Sequence, residues 1–102
     1  MTIITAEEVK VRMDAGETIN LVDVRELHEN TEFNIGGILI PLGKIQSMQT
    51  EEIEALKNEE VICYCRSGQR SMQAALMLET YGFSNVKNLA GGMLGWKEKF
   101  GG

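Results

Sequence analysis

The sequence has no long hydrophobic run and, in 102 residues, only one histidine, one proline and two cysteines. A membrane-spanning helix needs about 20 mostly apolar residues, so we expect no membrane partner. The first residues lack the basic start and apolar middle of a secretory signal, which predicts a cytoplasmic protein. With one histidine and no Cys/His cluster, we expect no bound metal.

Positive charge is also scarce in this chain. Ten lysines and arginines oppose fifteen aspartates and glutamates, and the formal net charge is −5. Without a basic stripe to neutralise phosphates, we expect no nucleic-acid partner. The hydrophobic fraction of 43% and the charged fraction of 25% are those of a globular protein. The length predicts a single domain over residues 1–102.

Strand-like and helix-like segments alternate along the chain, which is typical of an α/β fold with a mostly parallel sheet. The predicted strands are Thr2–Ile4, Ile19–Val24, Ile38–Ile40, Val61–Tyr64 and Val86–Leu89. Helices are predicted between the Thr5 N-cap and Gly16, over Met48–Asn58, over Ser71–Tyr81 and around Met93–Phe100. The third helix is apolar nearly all round, so we expect it to be deeply packed.

Cys65 follows a strand that is apolar on both faces and precedes that apolar helix. The loop after it reads Arg66-Ser67-Gly68-Gln69-Arg70. Converging backbone N–H groups, a helix N-terminus and two arginines would each stabilise a thiolate, while the glycine permits a tight turn. These effects predict a nucleophilic cysteine with a lowered pKa. The alternative is a buried structural cysteine beside solvated arginines.

Three motifs resemble those of the rhodanese (thiosulfate sulfurtransferase) family, in its single-domain form. Cys65-Arg66-Ser67-Gly68-Gln69-Arg70-Ser71 resembles the active-site loop, and Leu21-Val22-Asp23-Val24-Arg25-Glu26 resembles the family's strand with an acid and an arginine. Leu89-Ala90-Gly91-Gly92-Met93-Leu94-Gly95-Trp96 resembles the C-terminal glycine pair followed by tryptophan. The resemblance implies a central, mostly parallel five-stranded sheet flanked by helices on both faces.

The same resemblance implies a sulfurtransferase that needs no cofactor. Cys65 would take the outer sulfur of thiosulfate as a persulfide and pass it to a thiol or to cyanide. The amides of the segment from Arg66 to Arg70 would hold that sulfur, and Arg70, with Arg66, would pair with the donor's sulfonate. The alternatives are a persulfide carrier for a protein partner, a phosphatase or arsenate reductase of the same fold, and a non-catalytic module.

Two further residues are predicted near the site, while one cysteine and one loop segment are given other roles. Asp23 would accept loop N–H groups at its strand's end, with Arg25 as a second charge near the pocket. Cys63 is predicted to be a core cysteine, because a bridge to Cys65 would be strained. The segment Phe33–Gly37 departs from the Gly-His-Ile-Pro-Gly-Ala stretch of many family members, so it bears on substrate choice.

Five remaining residues are expected to be structural. His28 is predicted to lie in a loop, within the polar segment Arg25–Thr31. Trp96 and Phe100 are predicted to anchor the last helix in the core. The terminal Gly101-Gly102 pair is expected to be an ordinary helix end.

Overall fold

The structure, a computed structural model, describes residues 1–101, so Gly102 of the predicted helix end lies outside the described residues. In chain order the elements are β1 (Thr2–Ile4), α1 (Ala6–Asp14), β2 (Leu21–Asp23), α2 (Leu27–Glu32), β3 (Ile38–Leu39), α3 (Leu42–Gln46), a 3₁₀-helix (Glu51–Leu56), β4 (Glu60–Tyr64), α4 (Gln69–Thr80), β5 (Asn85–Leu89) and α5 (Gly92–Phe100). None of the helices within 1–101 has the length and apolar character needed to span a bilayer.

The five strands form one parallel sheet in the order β1-β5-β4-β2-β3, which confirms the predicted α/β fold. The central strand, β4, pairs with β2 through Val22 and Cys63 and with β5 through Val61 and Val86. A parallel sheet is covered on both faces, so its central strand needs apolar residues throughout. The segment Val61–Tyr64 accordingly has no solvent exposure.

Side chains that alternate along β4 enter two separate cores. Val61 and Cys63 pack on one face of the sheet, where α4 contributes Ala74, Ala75 and Leu78. Ile62 and Tyr64 pack on the other face, where α1 and α5 contribute Val9, Met93 and Trp96. The alternation follows from the two-residue period of a strand. Helices therefore cover both faces of the sheet, as predicted.

Two predictions about apolar helix residues are only partly correct. In α4, Met72 and Leu76 are 41% and 51% exposed, because the helix packs on the sheet with one side and has no layer outside it. The predicted deep burial of the whole helix is therefore wrong. In α5, Trp96 is a core anchor with 6% exposure, whereas Phe100 is 38% exposed and meets Trp96 edge-on, with ring centroids 4.9 Å apart.

The predicted helix over Met48–Asn58 is also wrong in extent and type. Only Glu51–Leu56 is helical, and it is a 3₁₀-helix. Ile53 is its one fully buried residue, and Leu56 is half-buried beside the same core. A segment that buries so little apolar surface lacks the packing that stabilises a longer α-helix.

Two short helices were not predicted, and one of them changes the environment of His28. The polar segment after β2 contains α2, in which the backbone N–H of Glu26 donates to the Glu29 carboxylate at 3.0 Å. His28 is therefore helical, and the loop prediction is wrong. No residue of α2 is buried, so the sequence shows no apolar periodicity there. The second helix, α3, begins directly after Pro41.

Gly37 should be indispensable to the edge of the sheet. Its φ is +90°, and a Cβ atom there would lie 2.2 Å from the carbonyl oxygen of Leu21. Gly36 has a similar φ of +102° but open space around it. We expect Gly37→Ala to cost about 2–5 kcal/mol of unfolding free energy, from backbone strain plus steric overlap. Gly36→Ala, with strain alone, should cost about 1–2 kcal/mol.

Urea unfolding followed by circular dichroism measures both losses. Equal destabilisation by the Gly37→Ala and Gly36→Ala substitutions would contradict the close approach of Gly37 to β2.

Candidate active site

Cys65 lies at the carboxyl end of the central strand, immediately after β4 and four residues before the start of α4. The carboxyl edge of a parallel sheet is where α/β proteins place their sites. Gly68, the N-cap of α4, has a φ of +107°, and this left-handed conformation turns the chain from the strand into the helix. The Cys65 side chain ends up 1% exposed within the turn.

Three donors converge on the Sγ atom of Cys65. The backbone N–H groups of Gly68 and Ser71 lie 3.0 Å and 3.4 Å from it, and the Ser71 hydroxyl lies 3.3 Å from it. Burial by itself raises the pKa of the Cys65 thiol, but the hydrogen bonds from Ser71 and Gly68 outweigh burial and hold the pKa below its ordinary value. The site therefore favours a thiolate through hydrogen bonds, without a histidine base.

Asn88 is a site residue that the sequence did not indicate, and Ser71, the last residue of the loop motif, has a role that was not predicted. The Ser71 hydroxyl also contacts the Asn88 side-chain oxygen, and the Asn88 amide nitrogen donates to the Gly68 carbonyl at 3.1 Å. A hydroxyl has one proton, which Ser71 donates to one acceptor at a time among the Cys65 sulfur, the Asn88 oxygen and the Gly68 carbonyl. A charged thiolate is the strongest acceptor of the three. Asn88, at 2% exposure, is a polar residue inside a buried strand, and that was the available signal.

Helix α5 forms backbone hydrogen bonds to the same loop. The N–H groups of Met93 and Leu94 donate to the carbonyls of Cys65 and Arg66 at 2.9 Å and 3.0 Å. This approach requires Gly92, because a Cβ atom there would lie 2.4 Å from the Cys65 carbonyl oxygen. The glycine pair of the third motif thus allows α5 to contact the backbone of the loop.

Arg70 is held by an acidic residue of the unpredicted helix α2. Its two terminal nitrogens each donate to a carboxylate oxygen of Glu29 at 2.8 Å. These bonds are the main reason that the pKa of Glu29 is lowered from 4.5 to about 2. The guanidinium predicted to pair with a donor is therefore already paired within the protein. Arg66, in contrast, is exposed and makes no ion pair within residues 1–101.

Asp23 and Arg25 form a buried pair at the end of β2. Asp23 has no solvent exposure and accepts from the Arg25 backbone N–H at 3.1 Å, from its guanidinium at 2.8 Å and 2.9 Å, and from Asn30 at 2.9 Å. Arg25 also donates to the Phe33 carbonyl at 2.6 Å. Asp23 thus accepts the loop N–H predicted for it, and the pair connects β2 with α2 and the following loop.

A cavity of about 290 Å³ adjoins the active-site loop between α2 and α5. Phe33, Met93 and Leu94 form its apolar walls. Its polar lining consists of Arg25, His28, Glu29, Glu32, Arg66 and Lys97.

The other predicted loop residues and the second cysteine lie apart from this cavity. Ser67 and Gln69 are exposed and, with Gly68, line a separate shallow depression beside Ile3. Cys63 is fully buried, and burial, followed by the nearby charge of Cys65, raises its pKa to about 12. The prediction of a core cysteine is confirmed, and both cysteines are free thiols.

Comparison with known proteins identifies relatives over most of the chain. The sequence profile of the rhodanese-like domain matches residues 5–99. YrkF of Bacillus subtilis, named as a sulfur carrier protein, is 37% identical over 97 residues. The match covers 94% of this chain and 51% of YrkF, so the chain spans about half the length of that relative. YtwF of the same organism, named as a sulfurtransferase, is 38% identical, with 92% of this chain and 88% of YtwF covered.

A solved structure shows the same fold. The rhodanese-like domain protein from Staphylococcus aureus superimposes with a TM-score of 0.82 at 30% identity, covering 94% of this chain and 91% of that protein.

The hydrogen bonds to sulfur predict that Ser71→Ala raises the pKa of Cys65, because the thiolate loses its hydroxyl donor. The rate of alkylation by iodoacetamide, measured against pH by intact mass, should then follow a titration at higher pH. His28→Ala is the control and should leave the titration of Cys65 unchanged, since no hydrogen bond within residues 1–101 joins His28 to the sulfur. A rate loss near a hundredfold in His28→Ala would indicate a Cys–His pair instead.

The Glu29–Arg70 pair predicts a pH-dependent stability. The folded pKa of Glu29 lies near 2, below its ordinary value of 4.5, so the folded state favours the carboxylate. The stability of the wild type over Glu29→Gln should be complete above about pH 4.5 and should decline as the pH falls toward 2. Urea unfolding of both proteins between neutral and acidic pH measures this difference. A difference independent of pH would contradict the pairing.

Proposed function

Since this chain belongs to the rhodanese-like domain family, we propose that it is a sulfurtransferase that carries sulfur as a persulfide on Cys65. The observation that carries this proposal is the convergence of the Gly68 and Ser71 donors on the Cys65 sulfur, with the resulting lowered pKa. A thiolate is the reactive form of cysteine, and the hydrogen bonds favour it by holding the pKa of Cys65 below its ordinary value. The naming of YtwF as a sulfurtransferase supports the same chemistry.

The first half-reaction we propose is a displacement at sulfur. The Cys65 thiolate attacks the outer sulfur of thiosulfate, the bond between the two thiosulfate sulfurs breaks, and sulfite leaves with the electron pair. Sulfite needs no proton to leave, which is consistent with a site that has no histidine at the sulfur. The amides of the loop then stabilise the outer sulfur of the persulfide as they stabilise the thiolate.

In the second half-reaction an acceptor attacks that outer sulfur. A thiolate or cyanide forms the new bond to sulfur, and the electron pair of the broken sulfur–sulfur bond returns to Cys65 as the thiolate. No oxidant, metal or organic cofactor is required, because the sulfur moves in the same oxidation state. A protein thiolate could act in the same way, and the sulfur-carrier naming of YrkF supports a protein acceptor as the second candidate.

The length of the loop favours sulfur over phosphate as the cargo. The phosphatases and arsenate reductases that share this fold have one more residue between cysteine and arginine, which makes room for a tetrahedral oxyanion. Here Arg70 is the fifth residue after Cys65 and position six is Ser71. Ser71 donates inward to the cysteine sulfur and so occupies that side of the site.

We also propose that Arg66, rather than Arg70, is the first guanidinium that an anionic donor meets. Arg70 is paired with Glu29, so it positions the loop against α2. Arg66 is exposed at the cavity and free of internal ion pairs among residues 1–101.

We propose a cytoplasmic location for the protein. A catalytic cysteine that must stay a free thiol suits a reducing compartment.

Incubation with thiosulfate followed by intact-mass measurement tests the proposed chemistry. We expect the wild type to gain one sulfur atom and to lose it again when a thiol is added. Cys65→Ser should gain none, since only a cysteine can hold the persulfide. Cys63→Ser is the matched control and should still gain the sulfur, with about 1 kcal/mol or more of stability lost to its buried hydroxyl.

Equal loss of persulfide formation in folded Cys65→Ser and Cys63→Ser would indicate a dithiol mechanism. Turnover of aryl phosphates that depends on Cys65 would contradict the assignment to sulfur transfer.

A further inference from the structure

The cavity beside the active-site loop contains two cations that the protein leaves unneutralised. Arg25 in its lining is paired with Asp23, and Glu29 is paired with Arg70. Among residues 1–101, the two other cations of the lining, Arg66 and Lys97, form no ion pair.

Within residues 1–101, Glu32 is the one carboxylate of the lining that forms no ion pair. The unpaired charges of the cavity are thus predominantly positive, on a protein whose net charge is −5. This local excess of positive charge favours an anionic ligand over a neutral one.

Three walls of the cavity are attached to the loop that holds Cys65. Arg66 is the next residue in the chain. Glu29, from α2, bonds to Arg70 at the far end of the loop. Met93, from α5, donates its N–H to the Cys65 carbonyl. The cavity therefore shares its walls with the loop that holds Cys65.

Lys97 is held over the cavity by an aromatic ring. Its Nζ atom lies 4.7 Å from the ring centroid of Phe33, within the range of a cation–π contact. Lys97 lies four residues after Met93 on α5, and such residues share a helix face. Phe33 begins the segment that departs from the family's usual pattern, and its carbonyl is held by Arg25. This segment therefore helps to place a cation at the cavity.

We propose that Lys97 and Arg66 form an anion subsite for a small sulfur substrate, and that Lys97 is a specificity-determining residue. The subsite would bind the charged end of the substrate, either the sulfonate of a donor or the carboxylate of an acceptor thiol, while the reacting sulfur faces Cys65. The volume of about 290 Å³ is at the lower limit of small-molecule pockets and suits a ligand of this size. The inference rests on the proposed function for the identity of its ligand.

The chain offers a matched control for the charge of Lys97. Lys99 lies on the same helix, but its Nζ atom pairs with Glu7 of α1 at 3.0 Å, away from the cavity. Lys97→Gln and Lys99→Gln remove the same charge from the same helix. Lys97→Arg keeps both the charge and the capacity for a cation–π contact, so it should restore the properties of the wild type.

Alkylation of Cys65 tests the subsite without any sulfur transfer. Iodoacetate is anionic and iodoacetamide is neutral, so the ratio of their rates reports the positive charge near the sulfur and cancels a change in thiolate content. We expect Lys97→Gln to lower the ratio about two- to fivefold, the range of a solvent-exposed charge pair. Lys97→Arg and Lys99→Gln should keep the wild-type ratio. Equal ratios in Lys97→Gln and Lys99→Gln would overturn the subsite.

Steady-state kinetics then identify which substrate uses the subsite. If the donor's sulfonate binds there, Lys97→Gln raises the KM for thiosulfate while kcat changes little. If the acceptor binds there, the KM rises for mercaptopropionate, which carries a carboxylate, and not for the neutral thiol dithiothreitol. Unchanged values for both substrates would overturn the assignment to a sulfur substrate. Failure of the wild type to form a persulfide would instead count against the proposed function, and the alkylation ratio would still report the subsite.

Discussion

The hydrogen bonds that converge on the Cys65 sulfur are the interaction on which the rest of the site depends. Desolvation opposes a thiolate at a residue with 1% exposure, so ionisation requires donors that are fixed before the charge forms. Gly68 supplies one by adopting a left-handed conformation, and Ser71 supplies two from the first turn of α4. The lowered pKa of the buried Cys65 thiol is the result of this local geometry.

Donors can be fixed only if the loop itself is held, and three elements hold it. Asn88 of β5 donates to the Gly68 carbonyl, Met93 of α5 donates to the Cys65 carbonyl, and Glu29 of α2 binds Arg70. Each contact comes from a different part of the chain, so the loop geometry is a property of the whole domain. The donors around Cys65 therefore depend on residues that lie far apart in the chain.

Thiolate stabilisation and positive charge at the cavity come from different groups in this site. Glu29 neutralises Arg70, which leaves hydrogen bonds as the main stabilisation of the sulfur. Arg66 and Lys97 remain unpaired among the described residues, at the cavity outside the loop. The hydrogen bonds that favour the thiolate are therefore separate from the positive charges at the cavity.

The amino-acid sequence alone determined the α/β fold, the central strand and the position of Cys65. These depend on local patterns: a strand that is apolar on both faces, a glycine at a turn and an apolar helix. It could not reveal α2, which buries no residue, or the pairing of Arg70 with Glu29 across 41 positions. The role of Asn88 and the meeting of Lys97 with Phe33 were likewise decided by the tertiary structure. Such contacts arise only when the parallel strands bring distant segments to one edge of the sheet.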